Sequence, residues 1–342
     1  MNRRLFLDHL RLLRRNGALA LVDAANCYDR MCHSIVSLSC QYFGVPAPPL
    51  ICMSLAIQMM QFYLQTSYGD SDGHYDGNAD NSFQGCCQGN GGAPAAWVAV
   101  STLLVMYLKA QGCEAKFITA ISCVLFSFAA LMSVDNTDLP VIGSSSRTTP
   151  AQVGAKMQRS ASVWAGGLRV TGGALKPEKC CWYLIAFEWH MGQWQYARKA
   201  THPFDIKVLN ADGVLEIIKC LETDESKEAV GIIQNAEGDE EDMLSEMEEK
   251  SSTWIRNIRN GHLPRHLAWQ ACKGTIMRSI AYPFPATTIS TKQAFTAMQK
   301  FCRETIPTLG TKWRRPPNIF WSALRGTCMK RTRTLSPRLP PG

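Results

Sequence analysis

The segment LVDAANCYD, from Leu21 to Asp29, begins with the last two residues of an apolar run, Ala18–Val22. An uninterrupted apolar run of this kind predicts a buried strand, and Asp23 then stands at the end of that strand. Asp135 follows a second apolar stretch, Phe117–Val134, which contains no charged residue. Acids at two strand ends suit a divalent cation, because Mg²⁺ prefers carboxylate oxygens. Aspartate is also common in turns, so these two residues alone leave a metal site and two ordinary turns both open.

Two further segments follow along the chain. Gly85-Cys86-Cys87-Gln88-Gly89 opens a glycine-rich loop ahead of an apolar helix, and residues 134–139 read Val-Asp-Asn-Thr-Asp-Leu. Together with Leu21–Asp29, these segments resemble motifs A, B and C of the reverse transcriptase palm, as found in retrotransposon polymerases of the non-LTR kind. A fourth segment, from Trp164 to Cys180, resembles motif D of the same enzymes.

The resemblance implies a role for each motif residue. Asp23 and Asp135 are expected to ligate two Mg²⁺ or Mn²⁺ ions, and Tyr28 to lie beneath the sugar and screen its 2′-hydroxyl. Gln88 and Gly89 are expected to face the template and the incoming nucleotide, where glycine permits close backbone approach. The implied partners are an RNA template, a DNA primer and a dNTP.

Lys179 matches the lysine of motif D, which is proposed to protonate the leaving pyrophosphate. A lysine near a triphosphate acts either as a general acid or as a charge stabiliser. The alternative is an ordinary turn lysine, just as Tyr28 can be an ordinary core aromatic. Asp29 matches a second motif A acid, for which a structural role is expected.

The third motif departs from the family pattern at Asn136, where the family carries a second aspartate. Asn136 offers a carbonyl oxygen and so counts as a weak metal ligand. It also removes one negative charge from a site for two dications, which predicts weakened metal binding. Nothing in the sequence matches the fingers, which precede motif A in this family. A palm truncated on that side is therefore expected, with a separate chain as one source of fingers.

The expected fold class is α+β, with a polymerase palm (an antiparallel sheet with packed helices) followed by a mostly helical, thumb-like region. We assign residues 1–200 to the palm and 201–310 to a hairpin with a helical thumb or connection-like region. Residues 311–342 form a basic tail rich in Pro and Arg, which is expected to be disordered. The resemblance covers residues 19–189 and continues more loosely to about Leu309.

Local patterns predict the individual elements of this fold. A loop is predicted over residues 68–81, strands with turns over 166–189, and a hairpin over 204–220 with its turn at Asp212-Gly213. Helices are predicted over residues 35–43, 50–64, 93–108, 147–164, 239–258 and 266–280.

Charge is unevenly distributed along the 342 residues, of which 46% are hydrophobic. Thr311–Gly342 holds eight Lys or Arg residues and no acid, whereas Glu222–Lys250 holds twelve acids against two bases. The hydrophobic content excludes a wholly disordered chain. The basic tail, with Trp313 and Trp321, predicts contact with phosphate backbones and bases, whereas the acidic run predicts a solvated face.

The fourteen cysteines contain no Cys-x-x-Cys pair, so neither a zinc ribbon nor a redox motif is indicated. Reduced, mostly buried thiols are expected, and with them an intracellular location, cytoplasmic or nuclear. The Arg-rich segment Met1–Arg15 has apolar residues at helical spacing. It is interpreted as a helix packed beside the first palm strand, and an organellar transit peptide is the alternative.

Three functions remain open at this point. The first is a retroelement reverse transcriptase domain that performs two-metal nucleotidyl transfer with a weakened metal site. The second is a remnant of such an enzyme that binds nucleic acid without catalysis. The third is a membrane protein spanning a bilayer with Ala93–Leu108 and Phe117–Val134. For Phe117–Val134, the alternative to a membrane span is a central strand buried on both faces. No lipid is expected among the partners of the first function.

Overall fold

The computed structural model describes residues 2–77, 82–118, 123–133, 135–284, 286–287, 289–290, 292–293 and 296. Within these residues helices and strands are mixed, so the expected α+β class is confirmed. The chain divides into two compact units, the first being Asp8–Thr223 and the second the described parts of Met1–Leu7 and Asp224–Gly342. The sequence places a change of character near residue 200, and the two units separate between Thr223 and Asp224.

Helices and short strands alternate irregularly along the first unit. Its helices are α1 (Asn2–Leu13, which crosses the division between the units), α2 (Cys27–Arg30), α3 (His33–Tyr42), α4 (Ala47–Gln58), α5 (Ala93–Ala110) and α6 (Pro150–Val170). Its strands are β1 (Gly17–Asp23), β2 (Gln61–Thr66), β3 (Gly69–Asp76), β4 (Ala115–Ile118), β5 (Leu125–Phe128), β6 (Leu131–Ser133), β7 (Asn136–Ile142), β8 (Cys181–Ile185), β9 (Phe187–His190), β10 (Gln193–Tyr196), β11 (Lys207–Leu209), β12 (Leu215–Ile217) and β13 (Lys219–Leu221). A 3₁₀ turn, Pro177–Lys179, precedes β8.

The main sheet has five strands in the order β13-β8-β1-β7-β6. β1 pairs antiparallel with β7 on one side and with β8 on the other, so that Gly17 lies opposite Ile142 and Asp23 opposite Asn136. β6 pairs antiparallel with β7, whereas β13 joins β8 in parallel. Because β1 is central, its residues from Gly17 to Val22 are buried, and the predicted buried strand is confirmed.

Helices cover the main sheet and fix it in one hydrophobic core. α6 packs on β1 and β7, and α5 packs on α6 and α3. Gly167 of α6 lets the two helices approach closely, since a Cβ there would lie 3.1 Å from Leu104 and 3.3 Å from Tyr107. Trp97 and Trp164 are buried in this core. The packing buries β1 and thereby positions the residue at its end.

Three segments differ from the sequence prediction. The helix predicted over residues 50–64 ends at Gln58, because the next residues form β2, whose aromatic composition favours a strand. β2 pairs with β3 as a hairpin, so the loop predicted over 68–81 is wrong over the length of β3. The strands predicted from Gly166 begin later, because α6 continues to Val170.

The uncharged stretch Phe117–Val134 is neither one helix nor one central strand in its described part. β4 and β5 form a hairpin, and β6 joins the edge of the main sheet. Phe117, Phe126 and Phe128 pack against one another, which accounts for the apolar composition. Among the described residues, Ala93–Ala110 is the one helix with the length and composition to cross a membrane. Trp97 and Leu108 of that helix are buried in the core.

The second unit is mostly helical within the described residues. Strands β14 (Lys227–Ala229) and β15 (Ile232–Gln234) form an antiparallel pair, followed by helices α7 (Glu241–Asn260), α8 (Arg265–Ala271) and α9 (Met277–Ala281). A π-helical segment, Cys272–Ile276, connects α8 and α9. The helices predicted over 239–258 and 266–280 are thus confirmed. Residues 311–342, the predicted basic tail, lie outside the described residues.

Candidate active site

The two aspartates predicted at strand ends lie at the same end of the main sheet. Asp23 is the last residue of β1 and the register partner of Asn136, the first residue of β7. The Ala24 N–H donates a hydrogen bond to the carbonyl oxygen of Asp135 over 3.3 Å. The pairing of β1 with β7 therefore brings two acids that are distant in sequence to neighbouring positions, where both are partly exposed.

The segment after α6 returns to this strand end and brings Lys179 with it. The Lys176 N–H donates to the Asp23 carbonyl oxygen over 3.1 Å, and the Ala25 N–H donates to the Ala174 carbonyl oxygen over 2.8 Å. These bonds leave the Lys179 Nζ 4.0 Å from the Asp23 Oδ2. The Lys179 side chain is 57% exposed and that of Asp23 19%, so this ion pair is open to a ligand from solvent.

Cys180 supports the same strand end from the buried side. The Asp23 N–H donates to the Cys180 Sγ over 3.4 Å, and the Cys180 thiol donates to the Lys176 carbonyl oxygen over 3.3 Å. Burial, more than any charge, raises the pKa of Cys180 to about 12. The thiol is therefore neutral and links Asp23 to the lysine-bearing segment. In the sequence Cys180 is only the last residue of motif D, and no pattern predicts a function for it.

Asn136 contacts the acid beside it. Its Nδ2 donates to the Asp135 Oδ1 over 3.2 Å. A second carboxylate at this position would repel Asp135, whereas the amide forms a hydrogen bond with it. The departure from the family pattern thus replaces a charge with a neutral donor.

The loop ahead of α5 docks on the residues that follow β1. The Cys86 N–H donates to the Tyr28 carbonyl oxygen over 2.7 Å. The Gln88 N–H donates to the Asp29 Oδ1 over 2.9 Å. Gln88 and Gly89 are exposed, while Tyr28 is partly buried against the core. Two hydrogen bonds, one to a backbone carbonyl and one to a carboxylate, therefore join motif B to motif A, and they hold Gln88 and Gly89 at the surface.

The docking requires glycine at position 85. Gly85 has φ +78°, and a Cβ there would lie 2.4 Å from the Asp29 Cα and 2.5 Å from the Tyr28 carbonyl oxygen. Cys87, two residues on, has φ +59°, which is an unfavourable conformation for a residue with a Cβ. Gly89 follows with φ +94°. The loop combines a close approach at Gly85 with local strain at Cys87, a combination that is frequent at functional sites.

A second set of side chains fixes the start of this loop. The Gln58 Nε2 donates to the Phe83 carbonyl oxygen over 2.7 Å, and the Phe83 N–H donates to the Gln58 Oε1 over 2.9 Å. The His33 Nε2 forms a hydrogen bond with the Gly85 carbonyl oxygen. Sequence motifs do not predict His33 and Gln58, because neither residue belongs to a motif and both contact the loop only in the folded chain.

Three acids of the site influence the pKa of one buried thiol, that of Cys27. Burial is the largest cause that raises the pKa of Cys27 to about 12, and the charges of Asp135, Asp23 and Asp29 raise it further. The pKa of Tyr28 is also raised, first by burial and then by Cys27 and Asp135. Negative charge from Asp23, Asp29 and Asp135 therefore lies beside Cys27, and that of Asp135 also lies beside Tyr28.

The side chains that could bind a divalent cation at this strand end are few. Within the described residues there is no group of three or more His, Cys, Asp and Glu side chains that could hold a metal ion. The candidate ligands are the carboxylates of Asp23 and Asp135, with the Asn136 amide oxygen beside them. Mg²⁺ in sites that process nucleotides is commonly held by one or two carboxylates together with substrate phosphates. The residues present fit that mode of binding.

No protein-family model and no curated protein matches the chain. Among solved structures, the chain is similar to telomerase from Candida albicans in complex with a TWJ fragment of telomeric RNA, at 9% sequence identity and a TM-score of 0.29. The match covers 97% of this chain and 51% of the telomerase chain, so the protein spans about half the length of that relative.

Proposed function

We propose that the first unit is the palm of a retroelement reverse transcriptase, which adds nucleotides to the end of a DNA primer on an RNA template. One observation carries this proposal: Asp23 and Asp135 lie at neighbouring strand ends, with the Lys179 Nζ 4.0 Å from the Asp23 carboxylate. Phosphoryl transfer depends on positioning and on charge stabilisation, and carboxylates with a lysine supply both kinds of charge.

Asp23 and Asp135 would hold Mg²⁺ or Mn²⁺, with Asn136 as a weaker ligand, and the family resemblance sets the number of ions at two. Bound there, the ions would stabilise the attacking and leaving oxygens of an in-line displacement. The Lys179 ammonium, which Asp23 orients, offers positive charge and a transferable proton to the departing phosphate. Its exposure leaves room for a triphosphate to approach from solvent.

The remaining motif residues would bind the nucleotide and the template. Tyr28 is partly buried and would present its ring beneath the sugar, where it screens the 2′-hydroxyl. Gln88 and Gly89 are exposed on a loop whose backbone is fixed to Tyr28 and Asp29. A fixed loop with exposed glycine allows the template and the incoming nucleotide to lie close to the backbone.

A second candidate function is nucleic-acid binding without catalysis. The hydrogen bond from Asn136 to Asp135 favours it, because an amide stands where the family has a carboxylate. Metal binding is then weaker than in an intact enzyme. In either case, RNA is the common ligand.

Primer extension by the full chain tests the two candidates. The assay uses a DNA primer on an RNA template with Mg²⁺ or Mn²⁺, and compares Asp23→Asn with Asp212→Asn, which removes the same charge from an exposed turn. We expect Asp23→Asn to abolish extension, Asn136→Asp to raise it, and Asp212→Asn to leave it unchanged. If no folded variant extends the primer, Asn136→Asp included, the polymerase proposal is wrong. RNA binding that survives Asp23→Asn would then support the second candidate.

A further inference from the structure

A polar cavity lies at the opposite end of the main sheet from the aspartates. β7 runs from Asn136, beside Asp23, to Ile142, beside Gly17. Its seven residues separate the two ends by roughly 20 Å, at about 3.3 Å per residue. The loop after β7 and the first turns of α6 line an open cavity of about 550 Å³. The polar residues that line it are Ser144, Ser145, Arg147, Thr148, Gln152 and Lys156.

The wall of this cavity is fixed by hydrogen bonds within the first unit. The Gly143 N–H donates to the Asn16 carbonyl oxygen over 2.8 Å, and the Asn16 Nδ2 donates to the Thr148 carbonyl oxygen over 2.9 Å. The Ser145 N–H donates to the Thr148 hydroxyl over 3.1 Å. The Arg15 guanidinium donates to the Gly143 carbonyl oxygen. The loop is therefore held in shape before a ligand arrives, which lowers the entropy lost on binding.

The segment of the chain that lines the cavity carries charge of one sign. The sequence from Leu139 to Pro177 contains five Lys or Arg residues and no acid. Two of these cations, Arg147 and Lys156, line the cavity, and both are exposed. The Lys156 Nζ donates to the Ser144 hydroxyl over 2.7 Å, a bond that uses one of its three protons and directs the ammonium along the wall. A guanidinium, an ammonium and several hydroxyls, with no carboxylate among the lining residues, match the chemistry of a phosphate group.

The N-terminus of α6 is not the source of this attraction. Its capping box has already used the first backbone donors, since the Gln152 N–H donates to the Thr149 hydroxyl and the Thr149 N–H to the Gln152 side chain. The cationic and hydroxyl side chains are what remain to bind an anion.

We propose that this cavity binds a phosphate group, supplied either by a free polyphosphate, as in a nucleotide, or by the backbone of a nucleic acid. The site is separated from Asp23 by the length of β7, and it does not rest on the proposed polymerase activity. Its ligand is recognised by charge and hydrogen bonding, so binding is expected to weaken as salt rises.

Isothermal titration of the full chain with two probes tests the proposal and separates the two sources. The probes are inorganic triphosphate and a short oligouridylate, and the test variant carries Arg147→Gln with Lys156→Gln. The matched control is Arg159→Gln, on the same helix but outside the cavity, where its guanidinium donates to the Gln111 carbonyl oxygen over 3.0 Å. We expect the double variant to lose about tenfold in affinity for each cation removed, and the control to bind like the wild type.

Each outcome decides the question. Loss of affinity for both probes supports the site with either phosphate source, and loss for the oligonucleotide alone assigns it to a nucleic-acid backbone. An unchanged affinity in the double variant overturns the proposal, as does an equal loss in the control or the absence of wild-type binding to both probes. Circular dichroism verifies that the variants fold, and the single variant Lys156→Gln replaces the double one if that fails.

Discussion

The Asp29 carboxylate accepts a hydrogen bond from the backbone N–H of Gln88 over 2.9 Å, across 59 residues of sequence. A carboxylate that accepts from a backbone amide forms a charge-assisted bond, which is stronger than a neutral one. This acid is therefore engaged in shaping the loop that carries Gln88 and Gly89. Its contact with the loop supports a structural role for the second acid of motif A, distinct from the metal-binding role proposed for Asp23.

Removing the Asp29 carboxylate is expected to loosen this loop. In Asp29→Ala we expect the free energy of unfolding to fall by about 1 kcal/mol, because the Gln88 N–H loses its partner. We also expect faster proteolytic cleavage within residues 82–90. Asp29→Asn keeps an acceptor oxygen and serves as the matched control, with a smaller effect. Urea denaturation and limited proteolysis measure both quantities, and an alanine variant indistinguishable from the wild type would contradict the assigned role.

Two glycines of the same loop are expected to respond very differently to alanine. At Gly85 a Cβ would lie 2.4 Å from the Asp29 backbone, so Gly85→Ala must displace the loop or motif A. We expect a loss of about 3 kcal/mol in the free energy of unfolding. At Gly89 a Cβ would meet no atom within 4 Å, and only the positive φ opposes the change. Gly89→Ala should lose about 1 kcal/mol. Equal losses in chemical denaturation would show that the close approach at Gly85 is not maintained in solution.

Restoring the missing carboxylate is expected to strengthen cation binding. Asn136→Asp adds a negative charge beside Asp135, so Mn²⁺ should bind on the order of tenfold more tightly. Gln193→Glu adds the same charge on exposed β10 and serves as the control. Electron paramagnetic resonance of free Mn²⁺ during a titration gives both affinities. The same increase in both variants would assign the effect to net charge and would argue against a site at Asp23 and Asp135.

Buried thiols are expected to make the fold sensitive to alkaline pH. Burial is the largest contribution to the raised pKa values of three thiols, which are about 12 for Cys27 and Cys180 and about 11 for Cys86. In the unfolded chain these thiols lose their protons near their ordinary pKa, so above about pH 9 the folded state binds more protons than the unfolded one. Stability is then full below that pH and declines by up to about 1.4 kcal/mol per pH unit for each thiol until the folded pKa is reached.

Urea denaturation between pH 8 and pH 10 measures that decline. The variant Cys27→Ala should show a shallower dependence on pH than the wild type, because one of the contributing protons is gone. Cys52→Ala removes an exposed thiol and should leave the dependence unchanged. A wild-type stability that stays constant over this range would indicate that the thiols ionise alike in both states.

Sequence patterns predict best those elements whose burial shapes their composition. β1 is predicted by its apolar run and α5 by its apolar length, because both lie in the core. β2 and β3 escape prediction, since every residue of β2 and almost every residue of β3 is exposed and neither strand carries a buried face. Alternation between apolar and polar residues arises only where one face of a strand is covered.

The candidate site likewise contains residues that sequence motifs predict and residues that they do not. Asp23, Asp135 and Lys179 are predicted from motifs, and the sheet register and the backbone bonds bring them together. His33 and Gln58 have no such signal, because their contacts with the loop before α5 depend on how α3 and α4 pack. A contact that forms only when distant helices pack together leaves no pattern in the local sequence from which it could be predicted.

The position of β1 in the sheet also has a consequence for biosynthesis. Its neighbours, β7 and β8, are translated long after it, so a ribosome that adds roughly 5–20 residues per second leaves Gly17–Val22 without strand partners for roughly 6 to 25 seconds. Throughout that interval an uncharged, apolar segment is available to other nascent chains, and unpaired strand edges of this kind aggregate. The yield of soluble protein should therefore depend on chaperones and on slow, cool expression more than on the stability of the finished fold.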